Sequence, residues 1–145
     1  MRRRHFLAGM GAAALLPQRA LGQTAAIDEL VRAATRGAPA RKGRVKLELP
    51  VLADNGNSVA MKVSITSPMS AADHVKSIRL LSERNPVRDM ATFHLGPRAG
   101  RAEIASRVRL AGSQNVVAVA EMSDGSFWFD VANVIVTLSA CLDES

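Results

Sequence analysis

From Arg44 onward, apolar and polar residues alternate with a period of two, and this pattern constrains the fold more than any other feature of the chain. Such alternation is typical of β-strands with one buried face and one solvated face. Clusters of Gly, Pro, Asn, Asp and Ser separate the alternating runs and predict turns. The predicted strands lie at 44–49, 58–66, 75–82, 90–95, 101–110, 115–122 and 127–138. Together they predict an all-β fold, an immunoglobulin-like antiparallel β-sandwich of about seven strands that occupies residues 44–138.

Two dipeptides in these turns, Asn55-Gly56 and Asp124-Gly125, are strong signals for two-residue hairpin loops. Both central residues of a type I′ turn need a positive φ, which Asn, Asp and Gly adopt more easily than other residues. We therefore expect tight hairpins at both places.

Two of the predicted strands differ in the number of faces that they bury. In 101–109, Ala102 and Ile104 point to one face, while Glu103 and several arginines point to the other. We interpret the charged face as a solvated outer surface, with a binding patch as the alternative. The strand 115–122 is apolar on both faces, so it lies centrally in the fold or its outer face meets a partner subunit.

A different period precedes the strands. Residues 23–36 predict a short helix that Thr24 can cap, and Gly and Pro in 37–43 then predict a linker. Four apolar residues of the helix recur at helical spacing: Ile27, Leu30, Val31 and Ala34.

Residues 1–22 have the features of a bacterial export signal. Arginines precede an apolar run at 6–16, which is too short for a stable membrane span, and a small-residue site favours cleavage before Gln23. Arg3 and Arg4 begin an R-R-x-F-L pattern, which predicts the twin-arginine route for folded cargo and hence a periplasmic protein; an ordinary Sec signal is the alternative.

Removal of this leader changes what the charge of the chain implies. The leader holds four arginines and no acidic residue, so the formal net charge falls from +6 to +2 without it. A charge that small, together with few aromatic residues, gives no reason to expect nucleic-acid binding. We also expect no membrane association once the leader is cleaved.

The predicted domain contains few candidates for chemistry. His74 and His94 have no partner residues at the spacing of metal ligands, and we interpret both as ordinary surface or hydrogen-bonded histidines. No catalytic motif or cofactor fingerprint is present, so we expect no catalytic residue, cofactor or metal. The aromatic run at 127–129 should divide its rings between the two faces of its strand.

The single cysteine, Cys141, follows the last predicted strand, in a predicted flexible arm at 139–145. It could be a small hydrophobe packed at the end of the strand. An odd cysteine in an exported protein also indicates an intermolecular disulfide or a working thiol. A thiol on a mobile tether can be presented to the active site of another protein, and tethering raises its effective concentration there.

Four segments of the sequence are similar to a known family: ADHVKSI (72–78), ATFHL (91–95), GRAEIASRVRLAGSQ (100–114) and VVAVAEMSDGSF (116–127). With the leader and the cysteine, the chain resembles the SoxY family of sulfur carriers in the bacterial thiosulfate-oxidising (Sox) system. The resemblance implies an immunoglobulin-like fold and a heterodimer with a SoxZ-like β-sandwich subunit that is exported as a passenger.

The resemblance also implies a covalent role for Cys141. In the family, a c-type cytochrome joins thiosulfate oxidatively to the cysteine, a hydrolase releases the sulfone as sulfate, and further enzymes process the remaining sulfur. The carrier itself catalyses nothing. Only the cysteine carries over as a residue with chemistry.

The arm departs from the family pattern, which is typically G-G-C-G-G. Here Ser139 and Ala140 precede the cysteine, and Leu142 and Asp143 follow it. Leu142 adds bulk beside the sulfur, and the acidic residues should raise the pKa of the thiol. Three readings remain open: a working carrier whose partners accept a different arm, a divergent paralogue whose thiol does something else, and an interaction module whose cysteine only forms an intermolecular disulfide.

Overall fold

A computed structural model of the chain describes residues 18–139, which contain one α-helix, nine β-strands and a single 3₁₀ turn. The elements in chain order are α1 (Gln18–Thr35), β1 (Ala40–Arg41), β2 (Val45–Glu48), β3 (Leu52–Ala53), β4 (Val59–Ile65), β5 (Val75–Ser82), β6 (Asp89–His94), the 3₁₀ turn (Pro97–Ala99), β7 (Glu103–Val108), β8 (Gln114–Met122) and β9 (Phe127–Val136). All seven predicted strands are present, with ends that differ by a few residues.

The strands form two sheets that pack face to face. The larger sheet has the order β1-β9-β8-β5-β6, with β3 also pairing with β9, and the smaller sheet has the order β2-β4-β7. All pairs among the longer strands are antiparallel, whereas the two-residue strands β1 and β3 run parallel to β9. The predicted all-β sandwich is therefore confirmed. The two shortest strands, β1 and β3, were not predicted, because two residues are too few to show alternation.

The core lies between the sheets and is built by the period-two pattern. In β4, Val59, Met61, Val63 and Ile65 are buried while the residues between them are largely exposed. They meet wholly buried residues of the larger sheet such as Ile78. Each such side chain stabilises the fold by about 1.5–3 kcal/mol when it leaves water.

Strand β8 is buried on both faces, as its sequence predicts, and it lies at the centre of the larger sheet. One face contributes to the core, and the opposite face carries Val117 and Val119. Helix α1 covers these two valines with Leu30, Val31 and Ala34. The central position of β8 is thus confirmed, and its outer face is covered by the protein's own helix.

The aromatic run at the start of β9 divides its rings as predicted. Trp128 packs on the core between the sheets, whereas Phe127 and Phe129 pack on the helix side. The guanidinium of Arg44 lies 5.6 Å from the centre of the Trp128 ring, which is within the range of a cation–π contact.

The helix and the linker differ in extent from their prediction. Helix α1 begins at Gln18, so Thr24 lies within the helix and does not cap its start. The helix ends where Arg36 and Gly37 adopt positive φ values of 55° and 86°. The predicted linker contains β1. Within residues 18–139, no helix combines the length and apolarity needed to cross a membrane.

The turn between β8 and β9 is a hairpin, but it is not of the predicted two-residue kind. Only Gly125 of the predicted pair has a positive φ, of 84°. The Gly125 amide donates to the Met122 carbonyl at 3.0 Å, and the Met122 amide donates to the Ser126 carbonyl at 2.9 Å. This closes a three-residue loop, which needs one left-handed position and not two. Ser126 donates its hydroxyl and its amide to the carboxylate of Asp124, and these bonds hold the pKa of Asp124 below its usual 3.8.

Candidate functional site

The predicted attachment site, Cys141, lies outside the residues that the structure describes, as do Ala140, Leu142 and Asp143. Its role stays a prediction. The signal residues Arg3 and Arg4 also lie outside the described range, and so does the predicted flexibility of the arm beyond Ser139. What the structure shows is the base of the arm, residues 137–139, which we call the arm root.

One edge of the arm root is held by the end of β3 and by the segment that follows it. The Thr137 amide donates to the Ala53 carbonyl at 3.1 Å. The Thr137 hydroxyl donates to the Asp54 carbonyl at 2.9 Å, and the Gly56 amide donates to the Leu138 carbonyl at 2.7 Å. These bonds continue the parallel pairing of β3 with β9 as far as Leu138. The arm therefore leaves the domain from a fixed point.

The other predicted hairpin, at Asn55-Gly56, is wrong. Neither residue has a positive φ, and the flanking strands β3 and β4 belong to different sheets. Gly56 is buried, where its carbonyl accepts from the Leu110 amide at 2.8 Å while its amide binds the arm root. Asn55 instead accepts the Asn57 amide at 2.9 Å, a local turn that carries the chain from one sheet to the other.

The opposite edge of the arm root faces the loop before β8. The Val136 amide donates to the Ser113 hydroxyl at 2.8 Å. A Cβ on Gly112 would stand 3.7 Å from both the Ser139 hydroxyl oxygen and an Nη atom of Arg84. Arg84 also donates to the Ser113 carbonyl at 3.1 Å. An exposed guanidinium therefore flanks the point where the described chain ends.

A buried polar network supports this edge from below. Ser82 donates its hydroxyl to the side-chain oxygen of Gln114, which also accepts the Arg84 amide at 3.1 Å. Asn85 accepts the Ala111 amide at 2.9 Å and the Gln114 side-chain amide at 3.1 Å. No buried side-chain nitrogen or oxygen in the described part of the chain lacks a hydrogen-bond partner. The network therefore joins the loop between β5 and β6 to the loop between β7 and β8, and it fixes both loops beside the arm root.

Sequence reasoning did not identify Arg84, Asn85, Ser113 or Gln114 as neighbours of the arm. All four lie in or beside turn-forming clusters, which predict a turn but not the segment that the turn meets. The one signal in the sequence is a polar residue, Gln114, at the start of a largely apolar strand.

The two histidines lie away from the arm root. His94 is exposed at the end of the edge strand β6, beside an open cleft of about 390 Å³ that Arg79 and Glu121 also line. The His74 ring contacts the Ser70 carbonyl at 3.0 Å. Among residues 18–139, no group of three or more His, Cys, Asp or Glu side chains is placed to hold a metal ion.

Solved structures with the same fold include two kinds of protein. The sulfur carrier protein SoxY from Chlorobium limicola f thiosulfatophilum matches with 22% identity and a TM-score of 0.64, over 82% of this chain and 98% of that chain. Superoxide reductase (neelaredoxin) from Ignicoccus hospitalis matches with 18% identity and a TM-score of 0.57, over 65% of this chain and 80% of that chain. A putative superoxide reductase from Thermotoga maritima matches with 15% identity and a TM-score of 0.55, over 68% and 87%. At these identities the similarity demonstrates a common fold alone.

Sequence comparison is more specific about the family. A search among curated proteins found no match. The model of the family described as sulfur oxidation protein SoxY matches residues 31–141, a range that includes the whole sandwich and ends at the single cysteine. Because this match extends over most of the sequence, the chain belongs to the SoxY family of sulfur oxidation proteins.

Proposed function

We propose that this protein is a periplasmic sulfur carrier, which holds thiosulfate-derived intermediates covalently on Cys141 and presents them to separate enzymes. The observation that carries the proposal is the family match, which runs from the helix through the sandwich to Cys141. Cys141 is also the only cysteine in the sequence, so a covalent sulfur adduct has one place to form.

The proposed chemistry uses the thiol as an attachment point. The sulfur of Cys141 loses its proton and forms a bond with the outer sulfur of thiosulfate, and the two electrons released pass to a c-type cytochrome. Water then cleaves the bond between that sulfur and the sulfone, in a reaction catalysed by a hydrolase. Sulfate leaves with the oxygen of the water, and a persulfide stays on Cys141.

The arm root suits this role because it fixes one end of a short tether. Leu138 is held by the Gly56 amide, and Cys141 follows it by three residues. Three residues span at most about 10 Å, so the thiol stays close to one end of the sandwich whatever path the chain takes. Such confinement raises the effective concentration of the cargo at a partner that binds that end.

The proposed partners follow from the family. They are a SoxZ-like β-sandwich subunit that forms a heterodimer with this chain, the c-type cytochrome and the hydrolase. In this proposal the protein is no enzyme and needs no cofactor beyond the carried sulfur. Twin-arginine export through Arg3 and Arg4 would carry the folded heterodimer to the periplasm.

The arm lacks the glycines of the family pattern, and this difference favours a second function. Leu142 and Asp143 place bulk and negative charge beside the sulfur, where glycine has neither. In this alternative, the protein is a divergent SoxY-like interaction module, and Cys141 only forms an intermolecular disulfide with a partner.

Intact-protein mass spectrometry distinguishes the two functions. The mature protein is purified from its own periplasm during growth on thiosulfate and is measured before and after reduction. For a carrier we expect added sulfur or a whole thiosulfate unit on Cys141, and we expect the added mass to disappear on reduction. A bare thiol, or only a disulfide to another chain, would support the interaction module.

Turnover with purified partners provides a second test. We expect the Cys141→Ala variant to lose thiosulfate oxidation completely, because no other cysteine can accept the sulfur. An Ala140→Ser variant is the matched control, since it changes the neighbouring side chain and keeps the thiol. Thiosulfate turnover by Cys141→Ala equal to that of the control would rule out the carrier role.

A further inference from the structure

A basic surface lies beside the arm root. Arg84 and Arg109 are both exposed, and neither belongs to an ion pair within residues 18–139. Their segments are joined, because the Asn85 side-chain amide donates to the Arg109 carbonyl at 2.9 Å. Val87, which is 70% exposed, lines the same groove of about 500 Å³ as Arg109. The one acidic residue that lines this groove, Asp89, is already in an ion pair elsewhere in the domain. We call Arg84, Val87 and Arg109 the arm patch.

The two edges of the arm root differ in charge. Strand β9 pairs with β3 along one edge and with β8 along the other. The β3 edge leads to Asp54, which is exposed, and the β8 edge leads to Gly112 and Arg84. A negatively charged segment that continues from Ser139 is therefore repelled on one side and attracted on the other.

The sequence that continues from Ser139 is such a segment. It contains Leu142, Asp143 and Glu144 and no basic residue. Asp143 follows Ser139 by four residues, which span at most about 14 Å, and Ser139 already lies beside the arm patch. The tether is thus long enough to bring both carboxylates to Arg84.

We propose that residues 142–144 dock on the arm patch, with Asp143 and Glu144 paired with Arg84 and Arg109 and with Leu142 against Val87. The docked arm holds Cys141 against the end of the sandwich until a partner displaces it. The role of the docked arm as a resting position for the carrier thiol depends on the proposed function. The docking itself does not depend on it.

We expect the docking to be weak, because exposed ion pairs contribute little stability and are screened by salt. Two such pairs favour the docked arm by about three- to ten-fold at low ionic strength. This is enough to slow reactions of the thiol, and it is small enough for a partner to overcome.

Alkylation of Cys141 by iodoacetamide, an uncharged reagent, tests the docking on the full mature chain without thiosulfate. Rates are measured above the pKa of the thiol, so that changes in that pKa do not alter them. For the unmodified protein we expect the rate to rise about three- to ten-fold from low salt to roughly 0.5 M salt. For Arg84→Gln, which leaves one of the two ion pairs, we expect an intermediate rate at low salt. For Asp143→Asn combined with Glu144→Gln, we expect the fast rate at all salt concentrations.

The matched control is Arg98→Gln, which removes an exposed arginine from the 3₁₀ turn after β6, at the far end of that strand from the arm patch. It should leave the slow rate and its salt dependence unchanged. Exchange of the charges, by Arg84→Glu and Arg109→Glu with Asp143→Lys and Glu144→Lys, should restore the slow rate at low salt. Circular dichroism confirms that each variant is folded.

A rate that does not depend on salt in the unmodified protein would overturn the docking, as would an Arg84→Gln rate equal to that of Arg98→Gln. Either result leaves the carrier role to be judged by the sulfur adducts on Cys141. Conversely, an absence of adducts together with the expected alkylation rates would reject the carrier role and retain the docked arm.

Discussion

Asn85 is one buried side chain that joins both loops beside the arm root. It donates to the Arg109 carbonyl and accepts from the Ala111 amide and from Gln114. Arg84 directly precedes Asn85 in the chain, so the position of Arg84 beside Ser139 depends on these hydrogen bonds of Asn85. At the scale of residues, the site is held by polar groups that would be costly to leave unpaired.

Replacement of Asn85 tests this support. We expect Asn85→Ala to lower the free energy of unfolding by about 2–3 kcal/mol, because it leaves buried backbone and side-chain groups without partners. Asn133→Ala is the matched control. Asn133 is exposed and donates only to Asn115, at 3.0 Å, so its loss should cost less than about 1 kcal/mol. Urea unfolding gives both values, and equal losses would show that the network does not hold the loops.

Helix α1 is the element that completes the larger sheet. Without it, Val117 and Val119 of the central strand would face water on the outer side of the sandwich. The sequence of β8 left open whether a partner subunit or the protein itself provides this cover. The protein itself provides this cover, since Leu30, Val31 and Ala34 of the helix are buried against that strand.

A cavity under the helix should therefore destabilise the whole domain. We expect Leu30→Ala to lower the free energy of unfolding by about 2–4 kcal/mol, as for other buried leucines. Glu29→Ala, on the exposed side of the same helix, should change it by less than about 0.5 kcal/mol. Denaturant unfolding followed by circular dichroism measures both. A small effect of Leu30→Ala would mean that the helix adds little to the stability of the sandwich.

As a whole molecule, this protein shares its fold with superoxide reductases as well as with a sulfur carrier. A β-sandwich is a scaffold that supports different functions, and the function resides in the site that the scaffold carries. Here we infer that the site is the arm, because the sandwich positions its root and the family match extends to its cysteine.

The proposed export of the folded protein can be tested in the predicted leader. We expect Arg3→Lys combined with Arg4→Lys to leave the precursor in the cytoplasm, because twin-arginine export depends on that pair. Arg2→Lys is the matched control, since it keeps the leader positive and leaves the pair intact. Cell fractionation followed by immunoblotting measures the periplasmic share. An unchanged share in the double variant would indicate the Sec route.

The sequence by itself determined the strands and their buried faces. Alternation in β4 matches one buried face, and continuous apolarity in β8 matches burial on both faces, because each face that packs against other elements needs an apolar residue at every second position. The sequence also singled out Cys141. It misjudged the hairpin loops, since a dipeptide that tolerates positive φ does not have to adopt it.

Only the tertiary structure decided which faces and loops meet. It brought Arg84 and Asn85 to the arm root, placed α1 over β8 and paired β3 with β9. These contacts join segments far apart in the chain, and a local pattern carries no information about its distant partner. The local sequence indicates which face of a strand or helix is buried. Which element packs against that face depends on the packing of the whole core.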